Sequence, residues 1–323
     1  MRWLLVPVLL FLPLLTLACG DDDGGGAGSS ATASGGAVRA TRTPMRTQGQ
    51  VTPTPSPTPT PTPRPDEPLY IALGDSLSAG IGSSDPNHTS FVALVHKALG
   101  PDFGLMNLGV PGDTSDDLLY DGPLTQAIQE IGARRSDGID GNEVEVVTLE
   151  IGGNDLLALY DDFVLTNECP SVPEGLERPV CVQALRDVLD RYEPNLRLVL
   201  QRLAEADPGL PVFLMTLYNP FSGGAVNIDE IGELALEGMP DTPFEDGLND
   251  IVRRVGAEAG VEVVDVYPLF VGKLGEYIAQ DLIHPNDCGY AVTAGQFITA
   301  LSEAGFEVTE DFYSGRAFAA MCD

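Results

Sequence analysis

The chain has 323 residues and a formal net charge of −31, with only 17 Lys and Arg against 48 Asp and Glu. So acidic a surface repels nucleic acid and anionic lipid, which excludes a nucleic-acid partner and leaves membrane contact to a covalent anchor. The length beyond the N-terminal segments suffices for one large core.

Residues 1–19 read as a processing segment. Trp3 to Ala18 is almost wholly apolar, carries Pro7 and Pro13, and is followed by Cys19, Gly20 and three aspartates. It is too short and too interrupted for a permanent membrane span. Thr16-Leu17-Ala18-Cys19 resembles a bacterial lipobox, with threonine where leucine is usual, so Cys19 is the expected lipidation site. The expected location is therefore extracellular, tethered to the outer face of the membrane. Residues 20–68 read as a linker, Gly/Ser-rich at first and then Thr/Pro-rich from Thr52 to Pro65. Alternating proline favours an extended, unpacked chain that spaces a domain from a surface. Residues 69–323 form the expected folded domain.

That domain opens with an apolar run, Leu69 to Leu73, which meets Gly74-Asp75-Ser76 and turns. Ser90 to Leu99 carries apolar residues at helical spacing and stops at Gly100-Pro101. Phe103 to Leu108 is a short strand, ending in a glycine turn around Gly112. Pro123 to Ile131 is helical. Val144 to Ile151 is the clearest strand, nearly filled with β-branched and apolar residues as a buried parallel strand requires. It ends at Gly152-Gly153-Asn154-Asp155. Val182 to Ala206 is a long helix with a kink expected near Pro194, Val212 to Leu217 a strand, Phe244 to Ala259 a helix and Val261 to Val266 a strand. A polar loop, Asp281 to Gly289, precedes a final helix, Tyr290 to Ala304. Repeated alternation of strand and helix predicts an α/β fold with a parallel sheet covered on both faces. Two stretches are unassigned: the apolar Leu156 to Leu165, and the Gly-rich 219–243 with its spaced Ile and Leu.

A serine nucleophile needs a base, and the base needs an orienting group. Of the three histidines, His96 falls within a helix and His88 within a loop beside Asp85. His284 has Asp281 three residues before it, so one turn can present both. The reading is Ser76 as nucleophile, His284 as base and Asp281 as its orienting carboxylate. Oxyanion donors would be the Ser76 and Gly112 backbone N–H groups and the Asn154 amide. Asp113 and Asp155 read as turn-shaping residues rather than as a metal site. Four cysteines remain after Cys19, allowing three pairings. The sequence favours Cys169 with Cys181, closing a local loop, and Cys288 with Cys322, tying down the C-terminal tail.

These blocks resemble those of the SGNH hydrolases, also called GDSL-type lipases and esterases. Gly74-Asp75-Ser76-Leu77, Asn107 to Thr114 around Gly112, Gly152 to Asp155 around Asn154, and Asp281 to His284 match the family's four blocks in order. The resemblance implies a three-layer α/β/α sandwich with a flavodoxin-like, mostly five-stranded sheet. It also implies a cofactor-independent two-step ester hydrolysis through an acyl-enzyme, in a monomer acting on a small-molecule or lipid ester. A carbohydrate or peptidoglycan O-acetyl esterase is the alternative within enzymes. A stalked surface binding module is the alternative outside them.

Overall fold

The computed structural model describes residues 64–309 and 321–322, all within one compact unit. The stretch read as a processing segment, Cys19 and the stretch read as linker up to residue 63 lie outside the described residues. Arg64 to Pro68, the end of the segment read as linker, are held to the body. The buried Arg134 guanidinium donates to the carbonyls of Glu67 at 2.6 Å and Asn142 at 2.7 Å, while Asn142 donates to the Pro65 carbonyl at 2.7 Å.

Five parallel strands form a single sheet: β1 (Leu69–Gly74), β2 (Gly104–Gly109), β3 (Val144–Leu149), β4 (Val212–Met215) and β5 (Glu262–Val264). Their order is β2-β1-β3-β4-β5, so the connections reverse direction beside β1. That switch point opens a crevice beyond the carboxyl ends of the strands, where open α/β sheets place their ligands. Every residue of β1 is buried, as expected of a central strand covered on both faces.

Helices Phe91–Leu99 and Asp287–Glu303 pack together on one face, and Pro123–Ser136, Pro179–Ala206 and Leu248–Ala259 form the layer on the other. Pro179–Ala206 buries Leu185, Val188, Tyr192, Leu196, Val199 and Leu203, a spacing of three and four that lines one side. The helix is continuous through Pro194, although proline removes one backbone hydrogen bond there. Under the first face, Phe91 stacks on Phe297 with centroids 5.2 Å apart. The helix expected from Phe244 begins only at Leu248, because the Asp250 carboxylate accepts from the Gly247 N–H at 3.0 Å and fixes the start. The last helix begins earlier than its apolar pattern suggests. Asn286 caps it by accepting from the Gly289 N–H at 3.0 Å, drawing Asp287 to Gly289 into its first turn.

The two unassigned stretches have definite structure. Residues 153–164 form a helix, Gly153–Leu159, continuing as one π-helical turn, Tyr160–Val164. The 219–243 excursion contains the helix Val226–Glu237. Together with Val172–Leu176 they build a small second apolar cluster around Val172, Leu185, Leu234 and Phe244, separate from the main core. Cys169 is bonded to Cys181 beside this cluster, and Cys288 to Cys322 at the start of the last helix. Among the described residues no helix is long and apolar enough to cross a membrane.

The Cys288–Cys322 bond spans 34 residues of chain. Replacing both cysteines by serine is expected to cost about 2–4 kcal/mol by releasing that loop in the unfolded state. Urea denaturation of the double variant checks this, and an unchanged midpoint would refute it.

Candidate active site

The turn that carries Ser76 begins where β1 ends. Asp75 caps the short helix Ser76–Ala79, its Oδ1 accepting from the Leu77 N–H at 3.0 Å. Ser76 lies 2.9 Å by Oγ from His284 Nε2, and His284 Nδ1 lies 2.7 Å from Asp281 Oδ2. The chain of contacts suits a serine hydroxyl donating to Nε2 and an Nδ1–H donating to the carboxylate. Asp281 Oδ1 also accepts from the backbone N–H groups of Ile283 and His284, both at 3.0 Å. Burial opposes its charge, yet those two N–H groups and the His284 ring outweigh burial and hold the carboxyl below its usual range. The turn is tight enough that Leu282 adopts a φ of 64°, a left-handed conformation unfavourable for a branched side chain. Gly82 passes close beneath, where a Cβ would come within 2.7 Å of that of His284.

Strand register brings the other blocks here. Gly74 pairs with Gly109 and Leu73 with Leu149, so β1, β2 and β3 end side by side. Asn107, near the end of β2, donates to the Ser78 carbonyl at 2.7 Å and braces the helix Ser76–Ala79. Gly112 sits in the exposed loop beyond. Its φ of 95° requires glycine, whereas a Cβ there would meet nothing within 4 Å, so backbone conformation rather than crowding sets the residue.

Asn154 is drawn into the site in a more constrained way than its reading as a free donor anticipates. Its Nδ2 donates both to Asp75 Oδ2 at 3.0 Å and to the Asp113 carbonyl at 2.9 Å, linking three turns. Asp155 likewise does more than shape its own turn. It accepts from the Ser115 N–H at 2.8 Å and hydroxyl at 2.7 Å, joining the asparagine block to the helix that follows the glycine block.

The other histidines stay away from this constellation. His88 pairs with Asp85 at 2.9 Å on the surface, and His96 Nε2 contacts the Phe103 carbonyl at 2.8 Å. Among the described residues no cluster of His, Cys, Asp or Glu is arranged to hold a metal ion.

Sequence reasoning missed Glu150. It is fully buried just beyond β3, and its Oε1 accepts from the Asp75 N–H at 2.8 Å and the Ser78 N–H at 2.9 Å. The available signal was an acid closing an otherwise apolar strand end, Thr148-Leu149-Glu150-Ile151.

Beyond Ser76 and His284 the site opens into an apolar cavity of about 180 Å³, lined by Leu156, Phe163, Val172, Leu185, Ile231 and Phe244 among others. A single water needs about 10–15 Å³ of such space, so the cavity holds far more than an acetyl group. Its walls are the second apolar cluster and both unassigned stretches.

The chain matches the GDSL-like lipase/acylhydrolase family over residues 72–292, which contain every block described above. The protein belongs to this family. A relative within reach of sequence comparison is the spore germination lipase LipC of Bacillus licheniformis, 24% identical over 224 residues that cover 68% of this chain and 90% of LipC. Among solved structures, the lipase Lip_vut3 from a goat rumen metagenome superposes with a TM-score of 0.54 at 20% identity, covering 74% of this chain and 98% of its own. Phospholipase A1 from Streptomyces albidoflavus NA297 gives 0.50 at 18% identity, covering 73% and 99%. These structural likenesses establish the fold. As a GDSL-family chain, the protein is a hydrolase of the lipase and esterase type.

Burial pushes the Asp75 carboxyl up to about 6, against the lowering effects of the Leu77 N–H, the Ser76 hydroxyl and His284. A carboxyl raised on folding contributes stability below its unfolded pKa and loses it as pH rises through the folded value. Asp75→Asn should therefore gain stability relative to wild type between pH 4 and pH 7. Parallel urea titrations across that range measure the difference, and a constant or opposite trend would contradict the assignment.

Proposed function

We propose that this protein is an extracellular serine ester hydrolase that cleaves carboxylic esters bearing an apolar acyl chain. The observation that carries the reading is the hydrogen-bonded series Ser76–His284–Asp281 at the mouth of an apolar cavity. The names of LipC and of the phospholipase A1 accord with it.

In this scheme the Ser76 hydroxyl gives its proton to His284 Nε2 as Oγ attacks the ester carbonyl. Asp281 holds the ring and stabilises the imidazolium that forms. Negative charge on the carbonyl oxygen is met by the Ser76 and Gly112 N–H groups and by Asn154, whose amide would share or release one of its present acceptors. His284 returns the proton to the departing alcohol. Water, activated by the same histidine, then frees the acyl group from Ser76.

The acyl group would enter the cavity between Gly153–Leu159 and Val226–Glu237. Apolar ligand sites are lined in this way, with a few polar groups at one end fixing orientation. An O-acetyl esterase would leave the cavity empty, and a binding module would not need the serine–histidine contact. Hydrolysis of p-nitrophenyl esters of graded length tests the choice. Activity should rise from acetate to octanoate or beyond, and Ser76→Ala should remove at least about 10³-fold of it. A maximum at acetate with none at octanoate favours the acetyl esterase, and equal rates for Ser76→Ala and wild type would abolish the catalytic assignment.

Attachment through Cys19 completes the proposal. The two disulfides suit an oxidising compartment. In a bacterial host, metabolic labelling with palmitate should mark the wild-type chain and not Cys19→Ala. Unlabelled wild type would leave simple secretion in place of tethering.

A further inference from the structure

The reaction scheme makes no use of Glu150, although its carboxyl is buried beside the site. It is fully buried, and its Oε2 has no hydrogen-bond partner among the described residues. A carboxyl so placed is costly unless it does something the fold requires. Burial, reinforced by the neighbouring Asp75, pushes it well above the usual carboxylate range.

Its role follows from an accounting of backbone donors. The first N–H groups of a helix have no acceptor within the helix. In the nucleophile turn there are four: Asp75, Ser76, Leu77 and Ser78. Glu150 Oε1 takes those of Asp75 and Ser78, and Asp75 Oδ1 takes that of Leu77. The N–H of Ser76 is left without an acceptor among the described residues, in the same residue as the Oγ that meets His284. The carboxyl thus clamps both ends of the turn and leaves the middle donor available. Gly74 is matched to this arrangement. A Cβ there would stand 2.2 Å from Glu150 Oε1 and 2.5 Å from the Ser78 hydroxyl oxygen, so the glycine of Gly74-Asp75-Ser76-Leu77 makes room for the glutamate.

We propose that Glu150 is a positioning residue for the nucleophile: its buried Oε1 fixes the Asp75–Ser78 turn, so that Ser76 Oγ meets His284 and the Ser76 N–H faces the oxyanion. The inference rests on the reading of Ser76 as nucleophile. What matters is the reach of the acceptor oxygen, not the acidity of the group. Glutamine keeps that oxygen in place, while aspartate keeps the acid and withdraws the oxygen by one methylene.

Full-length wild type, Glu150→Gln and Glu150→Asp should be compared by thermal melting, by kcat and KM on a p-nitrophenyl ester, and by the rate of covalent inactivation with a fluorophosphonate. Glu150→Gln is expected to stay within about tenfold of wild type in kcat. Glu150→Asp is expected to lose about 10²-fold in kcat and in fluorophosphonate reaction, with KM changed by less than about threefold, as a misplacement near 1 Å would produce. The reverse order, equal losses in the two variants, or a loss no larger than the unfolded fraction would each overturn the proposal. If wild type itself fails to react with the fluorophosphonate, the reading of Ser76 falls and this inference with it. If wild type reacts and Glu150→Asp reacts as fast, only the role of Glu150 is refuted.

Discussion

The site depends on strand register. In a parallel sheet, register decides which strand ends lie abreast, and here Gly74, Gly109 and Leu149 finish at one edge. A one-residue slip of β2 against β1 would also turn its side chains to the opposite face. Register is pinned by burial on both faces of β1, whose six residues have no alternative exposed setting. The chemistry at the edge is therefore held by the apolar core beneath it rather than by the loops that carry it.

Above that core, carboxylates do the local fixing. Asp75 caps its own helix, Glu150 holds both ends of the same turn, and Asp155 binds the start of Ser115–Tyr120. Each accepts backbone N–H groups at or near a helix N-terminus, where negative charge or an acceptor is favoured. The acidity of the chain is thus partly architectural. Its scarce cations serve as fasteners instead. Arg134 secures the entry of the chain into the domain, and Arg253 joins Glu237, at the end of Val226–Glu237, to Asp265. Arg253 is partly exposed, so the Glu237 and Asp265 pairs position the helix more than they stabilise the fold.

The second apolar cluster gives the site its depth. A pocket wall has to bury one side and leave the other available, and a cluster separate from the main core meets that condition. Leu156 and Leu189 touch both clusters, so the wall is continuous with the body. The Cys169–Cys181 bond ties the loop before it to the start of Pro179–Ala206, and both sulfur-bearing residues line the cavity. Phe221 stacks on Tyr160 at 4.9 Å between centroids, joining the two excursions that form the mouth.

Much of this was legible in the sequence because the signals are local. Period and apolar content marked the five strands and the major helices, and the three-residue step from Asp281 to His284 is short enough for one turn to present both. Helix starts were less legible at Leu248 and Asp287, since side-chain caps rather than apolar spacing set them. The family blocks, three of them at strand ends, specify a hydrolase from the sequence alone. Distant partnerships were beyond the sequence. That both Asn154 N–H donors are engaged, that Glu150 clamps a turn 75 residues earlier in the chain, and that Leu156 to Leu165 faces Val226–Glu237 across a cavity are consequences of packing. Hydrophobic periodicity states which face of an element is buried, but not against what. Only closing the sheet and its layers brings those faces and donors within the few ångströms where hydrogen bonds and cavities are defined.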